Sequence, residues 1–432
     1  MTAQAVVEIV FIVIGGLLGL AVSFVGLATL CDAWLTPWLQ VAQKKMLMSD
    51  DLAGVTLMAF GGAAPEIMIS IIAVLSGNMK IGFGLLCGSA IIAFGFIPPY
   101  CYFSVGSPLD LRAFPIIRDT AFYLVALGAV TAFIFTNDGH IDVYESSGLL
   151  VYWVIYVVVV VFVSPEALPA RRPLTVRKAV MRVPVKVAKA AKTFLKRGQS
   201  RAERLPLVST PPAALEPEEP GIFGRMYLSL DSGFDFVFSY TVPPPPLAKN
   251  LVPESADTSA AMTALGVFAA FIWLATLSEA VYELVLIICD STTFLSPTAL
   301  GSILLAVGSQ APDALGAAAM ARAGIEEGAI SSALASQVVA LTIGFGLPWT
   351  IYLAMGNEVN LATTAASQVA DGALLGIVVL VALFFMGTTL LTPSEQGGVR
   401  IDRNGAVVTL CAFAVAFTGL ITLEALFQSG DL

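Results

Sequence analysis

Residues Leu27 to Ala93 recur without a gap between Leu274 and Ala340, a constant displacement of 247 positions, and each copy carries one acid directly after a proline in apolar sequence. Leu27-Ala28-Thr29-Leu30 precedes Cys31-Asp32 in the first copy, and Leu274-Ala275-Thr276-Leu277 precedes Ser278-Glu279 in the second. Ala59, Gly61, Ala64-Pro65-Glu66, Gly77 and Ser89 stand opposite Ala306, Gly308, Ala311-Pro312-Asp313, Gly324 and Ser336. A chain that repeats an interrupted apolar pattern is constrained to two structural repeats. Matching Gly/Pro interruptions point to a secondary transporter with its binding site between them.

Lipid is the solvent of this fold. Apolar residues make up 57% of the chain, charged residues 12%, and the mean hydropathy is +0.86; soluble domains are about 25% charged. Ten runs are long enough to cross roughly 30 Å of hydrocarbon, near 6–35, 52–75, 82–103, 115–136, 146–164, 259–289, 297–321, 328–355, 366–387 and 404–428. Five spans per half is an odd number, so the second copy enters the membrane from the opposite side. With the N-terminus outside, 21 of the 22 Lys and Arg residues fall on the cytosolic side, Lys80 being the exception, as the positive-inside rule requires.

The predicted class is an all-α membrane protein of ten transmembrane helices in two inverted-topology five-helix repeats, 1–164 and 259–432, with termini outside and a cytosolic loop at 165–258. It is multi-pass, in the plasma membrane or an endomembrane. The first apolar run lacks a basic start and exceeds a cleaved signal in length, so it is predicted as the first span. The net charge of −9 is spread over loops and spans and implies no nucleic-acid partner. Five cysteines without paired spacing give no disulfide or metal framework, and the single histidine, His140, gives no imidazole relay. Neither an enzyme activity nor a resident cofactor is expected.

The loop changes composition along its length. Arg171 to Arg204 holds 12 basic residues among Val, Ala and Leu, whereas the second half carries Glu216, Glu218, Glu219 and the run Pro243–Pro246. The basic stretch suits a surface helix on anionic lipid, interrupted at Pro184, and equally suits a solvated tether. Oligomeric state is not legible.

The chemistry centres on Gly61-Gly62-Ala63-Ala64-Pro65-Glu66 and Gly308-Ser309-Gln310-Ala311-Pro312-Asp313. In hydrocarbon every backbone polar group needs a partner, so a Gly-Gly or Gly-Ser step before Pro is expected to loosen the helix where a cation takes the freed carbonyls. A carboxylate at mid-span costs at least about 2.5–3.5 kcal/mol, which makes function the default reading over a protonated acid bonded to a neighbour. Two such acids supply a charge of −2 and hard oxygens, suiting Ca2+, Na+ or H+. Candidate flanking ligands are Ser70, Ser89, Ser309 and Ser336 with the amides Gln310 and Gln337, although a membrane serine often bonds its own backbone. Secondary candidates are Asp32, Glu279, Thr56 and Thr342. Glu279 and Glu283 lie one turn apart on one face, and their place near the outer end of the sixth span favours facing water over replacing a ligand.

These residues form a pattern that resembles the potassium-dependent sodium/calcium exchangers of the cation/calcium exchanger superfamily. The resemblance rests on Cys31-Asp32 with Pro37, Ser49-Asp50-Asp51-Leu52-Ala53-Gly54, Thr56-Leu57-Met58-Ala59 and Ala64-Pro65-Glu66. It extends to Phe114-Pro115, Arg118-Asp119, Tyr123-Leu124, Glu145-Ser146, Gly344-Phe345-Gly346-Leu347-Pro348-Trp349 and Arg400-Ile401-Asp402-Arg403. It implies α-motifs at 52–95 and 299–345, calcium ligation by Glu66 and Asp313, and hydroxyl positions at Ser70, Ser89 and Ser336. The chain departs from that pattern at Ala93, where Asn is usual, and at Ala340, where the potassium-dependent branch has Asp. Hydroxyls expected near Ala63 and Ala317 are also missing, while Gln310 and Gln337 bring amides.

The expectation is therefore an antiporter exchanging Ca2+ against Na+ by alternating access, independent of K+. The alternatives are a Ca2+/H+ antiporter and a degenerate calcium sensor signalling through the loop. A channel lacks its continuous polar path, and an intramembrane aspartyl protease lacks its Gly-x-Gly-Asp setting.

Overall fold

The computed structural model describes residues 3–46, 57–136, 139–163, 222–245, 259–292, 296–361, 365–392 and 398–429. Nearly all of these are helical. Nine helices among the described residues are long and apolar enough to span, Val7–Lys45, Met79–Val105, Ala113–Thr136, Val143–Phe162, Ala260–Ser291, Pro297–Arg322, Gly328–Ala354, Ser367–Leu391 and Arg403–Glu424, and with the shorter apolar helix Ala59–Leu75 as the second they are numbered 1 to 10 as spans. Large apolar side chains such as Phe11 and Phe162 point outward at 72% and 79% exposure. On a soluble protein such a surface would aggregate; here it is the face turned to lipid. The chain is an integral, multi-pass membrane protein.

The two halves match to the residue at the centre. Ala59–Leu75 and Ala306–Arg322 are both 17-residue helices, displaced by 247, and each runs unbroken through its proline, Pro65 or Pro312. Each ends at a glycine with positive φ, Gly77 at 82° and Gly324 at 76°, a left-handed turn that glycine adopts without steric cost. The expected loosening lies instead one turn earlier: Leu300–Leu305 is π-helical, and so are Leu57 and Met58, the repeat partners of Leu304 and Leu305. A wider turn admits the extra residue without exposing backbone.

Interlocking of the repeats buries spans 3 and 8 most deeply, and it follows from small residues. In span 3 Gly84 and Gly88 lie four apart, and a Cβ at either would collide with the backbone of Thr298 or Ser302 in span 7. Gly301 is equally tight against the Ile81 carbonyl. Close backbone approach of this kind drives association where lipid offers no hydrophobic contrast. By symmetry span 8 packs on span 2, so each repeat's third helix crosses the other's second.

Two short sheets clip the halves at opposite membrane faces. β1 (Leu109–Leu111) pairs antiparallel with β4 (Val399–Ile401), and β2 (His140–Ile141) with β3 (Val359–Asn360). Each sheet takes one strand from each repeat. Asp110 accepts from Arg400 at 2.9 Å, and its N–H donates to Glu326 at 3.2 Å.

Within 165–258, residues 165–221 and 246–258, including the basic stretch 171–204, lie outside the described residues. The helix Ile222–Thr241, not anticipated from sequence, packs along span 1. Phe234 seats against Gly26, and Phe238 meets Trp34 and Trp273 edge-on. Its outer face carries exposed Met226, Phe236, Val237 and Tyr240.

Candidate functional site

Glu66 is 1% exposed and Asp313 half-buried, each one residue past the proline of a central helix. Proline lacks the N–H that would close on the carbonyl four residues back, so Pro65 and Pro312 withdraw the helical donors of Gly61 and Gly308 beside the acids. Gln310 donates Nε2 to Glu66 Oε1 at 2.9 Å, a buried bond between the repeats. Glu66 Oε2 and Gln310 Oε1 have no hydrogen-bond partner. Two buried oxygens left unpaired on hydrogen-bonded side chains demand an explanation, because burial of such groups without a partner is costly. A hard cation supplies one. Among the described residues no three His, Cys, Asp or Glu side chains converge as a metal site.

The hydroxyl candidates divide by what they bond. Ser70, fully buried, donates to the Gly344 carbonyl at 2.7 Å. That is the carbonyl whose helical donor Pro348 removes in span 8, so Ser70 replaces a missing backbone bond and keeps only its lone pairs for an ion. Ser89 bonds Gln337 Oε1 at 3.2 Å and the Leu86 carbonyl at 3.1 Å, a second amide link between repeats. Ser309, Ser336 and Thr342 turn back on Ala306, Ala333 and Val338 of their own helices. Thr56 lies outside the described residues. Ala93 and Ala340 are buried in the apolar core.

Asp32 and its repeat partner Glu279 differ. Asp32 sits in a π-helical turn, Leu30–Leu35, is exposed, and lies within electrostatic range of Asp313. Span 6 runs as regular helix through Glu279, which is exposed like Glu283. Neither glutamate is brought to Glu66.

Sequence reasoning missed Asp231 and Asp235. They lie one turn apart on the loop helix and accept from Thr29 Oγ1 at 2.7 Å and Trp34 Nε1 at 3.1 Å. Asp231 is within electrostatic range of Asp32. The available signal was the spacing Asp231, Phe234, Asp235, Phe238, Val242, one helical stripe.

A family model described as sodium/calcium exchanger protein matches residues 15–162 and 262–422. Sodium/potassium/calcium exchanger 2 of Homo sapiens is 37% identical over 145 residues, 34% of this chain and 22% of that protein. The same exchanger of Gallus gallus is 37% identical over 140 residues, 32% of this chain and 21% of that protein. Each match spans about a fifth of the relative's length. The crystal structure of the H+/Ca2+ exchanger CAX aligns with a TM-score of 0.56 over 99% of this chain and 93% of that one, at 13% identity, a likeness of fold.

Proposed function

The chain belongs to the sodium/calcium exchanger protein family, and from that premise we propose that it is a secondary-active antiporter exchanging Ca2+ against Na+ by alternating access, with Glu66 and Asp313 as central ligands and no requirement for K+. The observation that carries this reading is the pair of unpaired buried oxygens, Glu66 Oε2 and Gln310 Oε1, on side chains that are joined across the repeats by the bond from Gln310 Nε2 to Glu66 Oε1. Two carboxylates are neutralised by one Ca2+ or by two monovalent ions. Alternating access needs loaded states of similar burial cost, and these two loads meet that condition. The freed Gly61 and Gly308 carbonyls, the Gln310 amide and the lone pairs of Ser70 and Ser309 complete an oxygen shell typical of Ca2+. Ser89 and Gln337 join spans 3 and 8 beside it, while Ser336 turns back on its own helix.

The test is ion flux through purified protein in liposomes. Calcium uptake should follow an imposed Na+ gradient, and Glu66→Gln or Asp313→Asn should each lower it at least a hundredfold while the protein stays folded, since a carboxylate ligand contributes a few kcal/mol to a hard cation. Uptake that follows a H+ gradient and ignores Na+ would replace the counter-ion; wild-type uptake in either mutant would remove the central site.

A further inference from the structure

The ends of spans 3, 7, 9 and 10 enclose a cavity of about 90 Å³ on the side where Lys80 lies, and neither Glu66 nor Asp313 lines it. A water needs about 10–15 Å³ measured this way, so several fit. Its polar wall is Lys80, Ser296, Thr298, Ser302, Ser367, Asp371 and Glu424. Asp371 is 2% exposed, and its Oδ2 accepts no hydrogen bond. Lys80 Nζ stands 3.8 Å from that oxygen, beyond hydrogen-bond length, and donates to the Ser367 hydroxyl instead. Glu424 is committed elsewhere: it accepts from the Ser296 N–H and, at 2.8 Å, from its hydroxyl, capping the first turn of span 7.

Two acids and one lysine leave the cavity net negative, which disfavours an anion. The oxygens still open to a ligand are Asp371 Oδ2 and the hydroxyl lone pairs of Ser302, a hard-oxygen set with room for bound water. Only one of the two carboxylates is free to bind, so affinity is low. We propose that this cavity is a second, outer site for a hydrated divalent cation, held at Asp371, with the Lys80 ammonium as its tethered competitor. A divalent ion at Oδ2 repels the ammonium, and Lys80, with 27% of its side chain exposed, has a flexible stem by which to leave for solvent. Ser302 lies on the same helix as Asp313, eleven residues earlier and roughly 16 Å along the axis, so the site stands between the outer surface and the centre.

The inference does not depend on what the central pair binds, and the experiment separates the two. Full-length protein in nanodiscs is acylated at lysine with an amine-reactive ester, with and without Ca2+, and labelling of Lys80 is read by mass spectrometry. The background is Glu66→Gln/Asp313→Asn, and wild type is run alongside in case that double variant folds poorly. Ca2+ should raise Lys80 labelling several-fold in both, with half-effect on the order of 10⁻⁴–10⁻³ M, the range of extracellular calcium modules. Asp371→Asn should give high labelling that ignores Ca2+. Labelling unchanged by Ca2+ in wild type, or still raised by Ca2+ in Asp371→Asn, would overturn the outer site, while loss of flux in the double variant bears on the central site alone.

Discussion

Gln310 holds Glu66 from the opposite repeat, its Nε2 2.9 Å from Glu66 Oε1, and so fixes which carboxylate oxygen remains for an ion. A hydrogen bond to a charged group contributes about 1.5–3 kcal/mol. Gln310→Ala should therefore raise the Ca2+ concentration for half-maximal uptake about tenfold or more. Calcium titrations of liposome flux check this; an unchanged half-saturation would show that the amide positions nothing.

Ser70 should behave as a structural residue first. Ser70→Ala strips the donor from the Gly344 carbonyl that Pro348 leaves open, at a cost of about 1–2 kcal/mol. Pro348→Ala returns an N–H to that carbonyl. In the double variant the Ser70 penalty should largely vanish, a coupling read from thermal unfolding of the four proteins in a mutant cycle. Additive penalties would break the link.

Gly88→Ala should prevent normal assembly, because the added methyl meets the Ser302 backbone rather than a movable side chain. Gly128, with nothing within 4 Å, is the matched control. Size-exclusion profiles of the two variants should differ sharply, the first aggregating and the second resembling wild type.

Calcium flux should be the same with K+ present or replaced by an organic cation, since Ala340 offers no counter-charge to a buried K+. Ala340→Asp should bring potassium sensitivity or loss of activity at neutral pH. Strict potassium dependence of the wild type would mean that another group has taken the role.

The repeat at 247 residues was enough to read the ten spans, the inverted halves and the equal helices carrying Glu66 and Asp313, because apolar runs and prolines are linear features of a chain. What the period cannot carry is side-chain direction. Ser70 and Ser89 read alike as ligands, yet one satisfies a carbonyl 274 residues away and the other an amide. Asp32 and Glu279 read as partners, but the π turn at Asp32 has no counterpart at Glu279 in span 6. The loop helix escaped notice because its aspartates interrupt the apolar stripe, and their partners, Thr29 and Trp34, are some 200 positions distant.

That helix has a mechanical meaning. It grips span 1 through Thr29 and Trp34, its tail accepts from Trp38 at the Pro243 carbonyl, and Thr241 accepts from Trp273 of span 6. Spans 1 and 6 are the elements that the twofold exchanges, so under the proposed alternating access any shift of one against the other would load these four bonds. The helix is thus a strap laid across spans 1 and 6, fastened to both through indole and hydroxyl groups rather than through the acids.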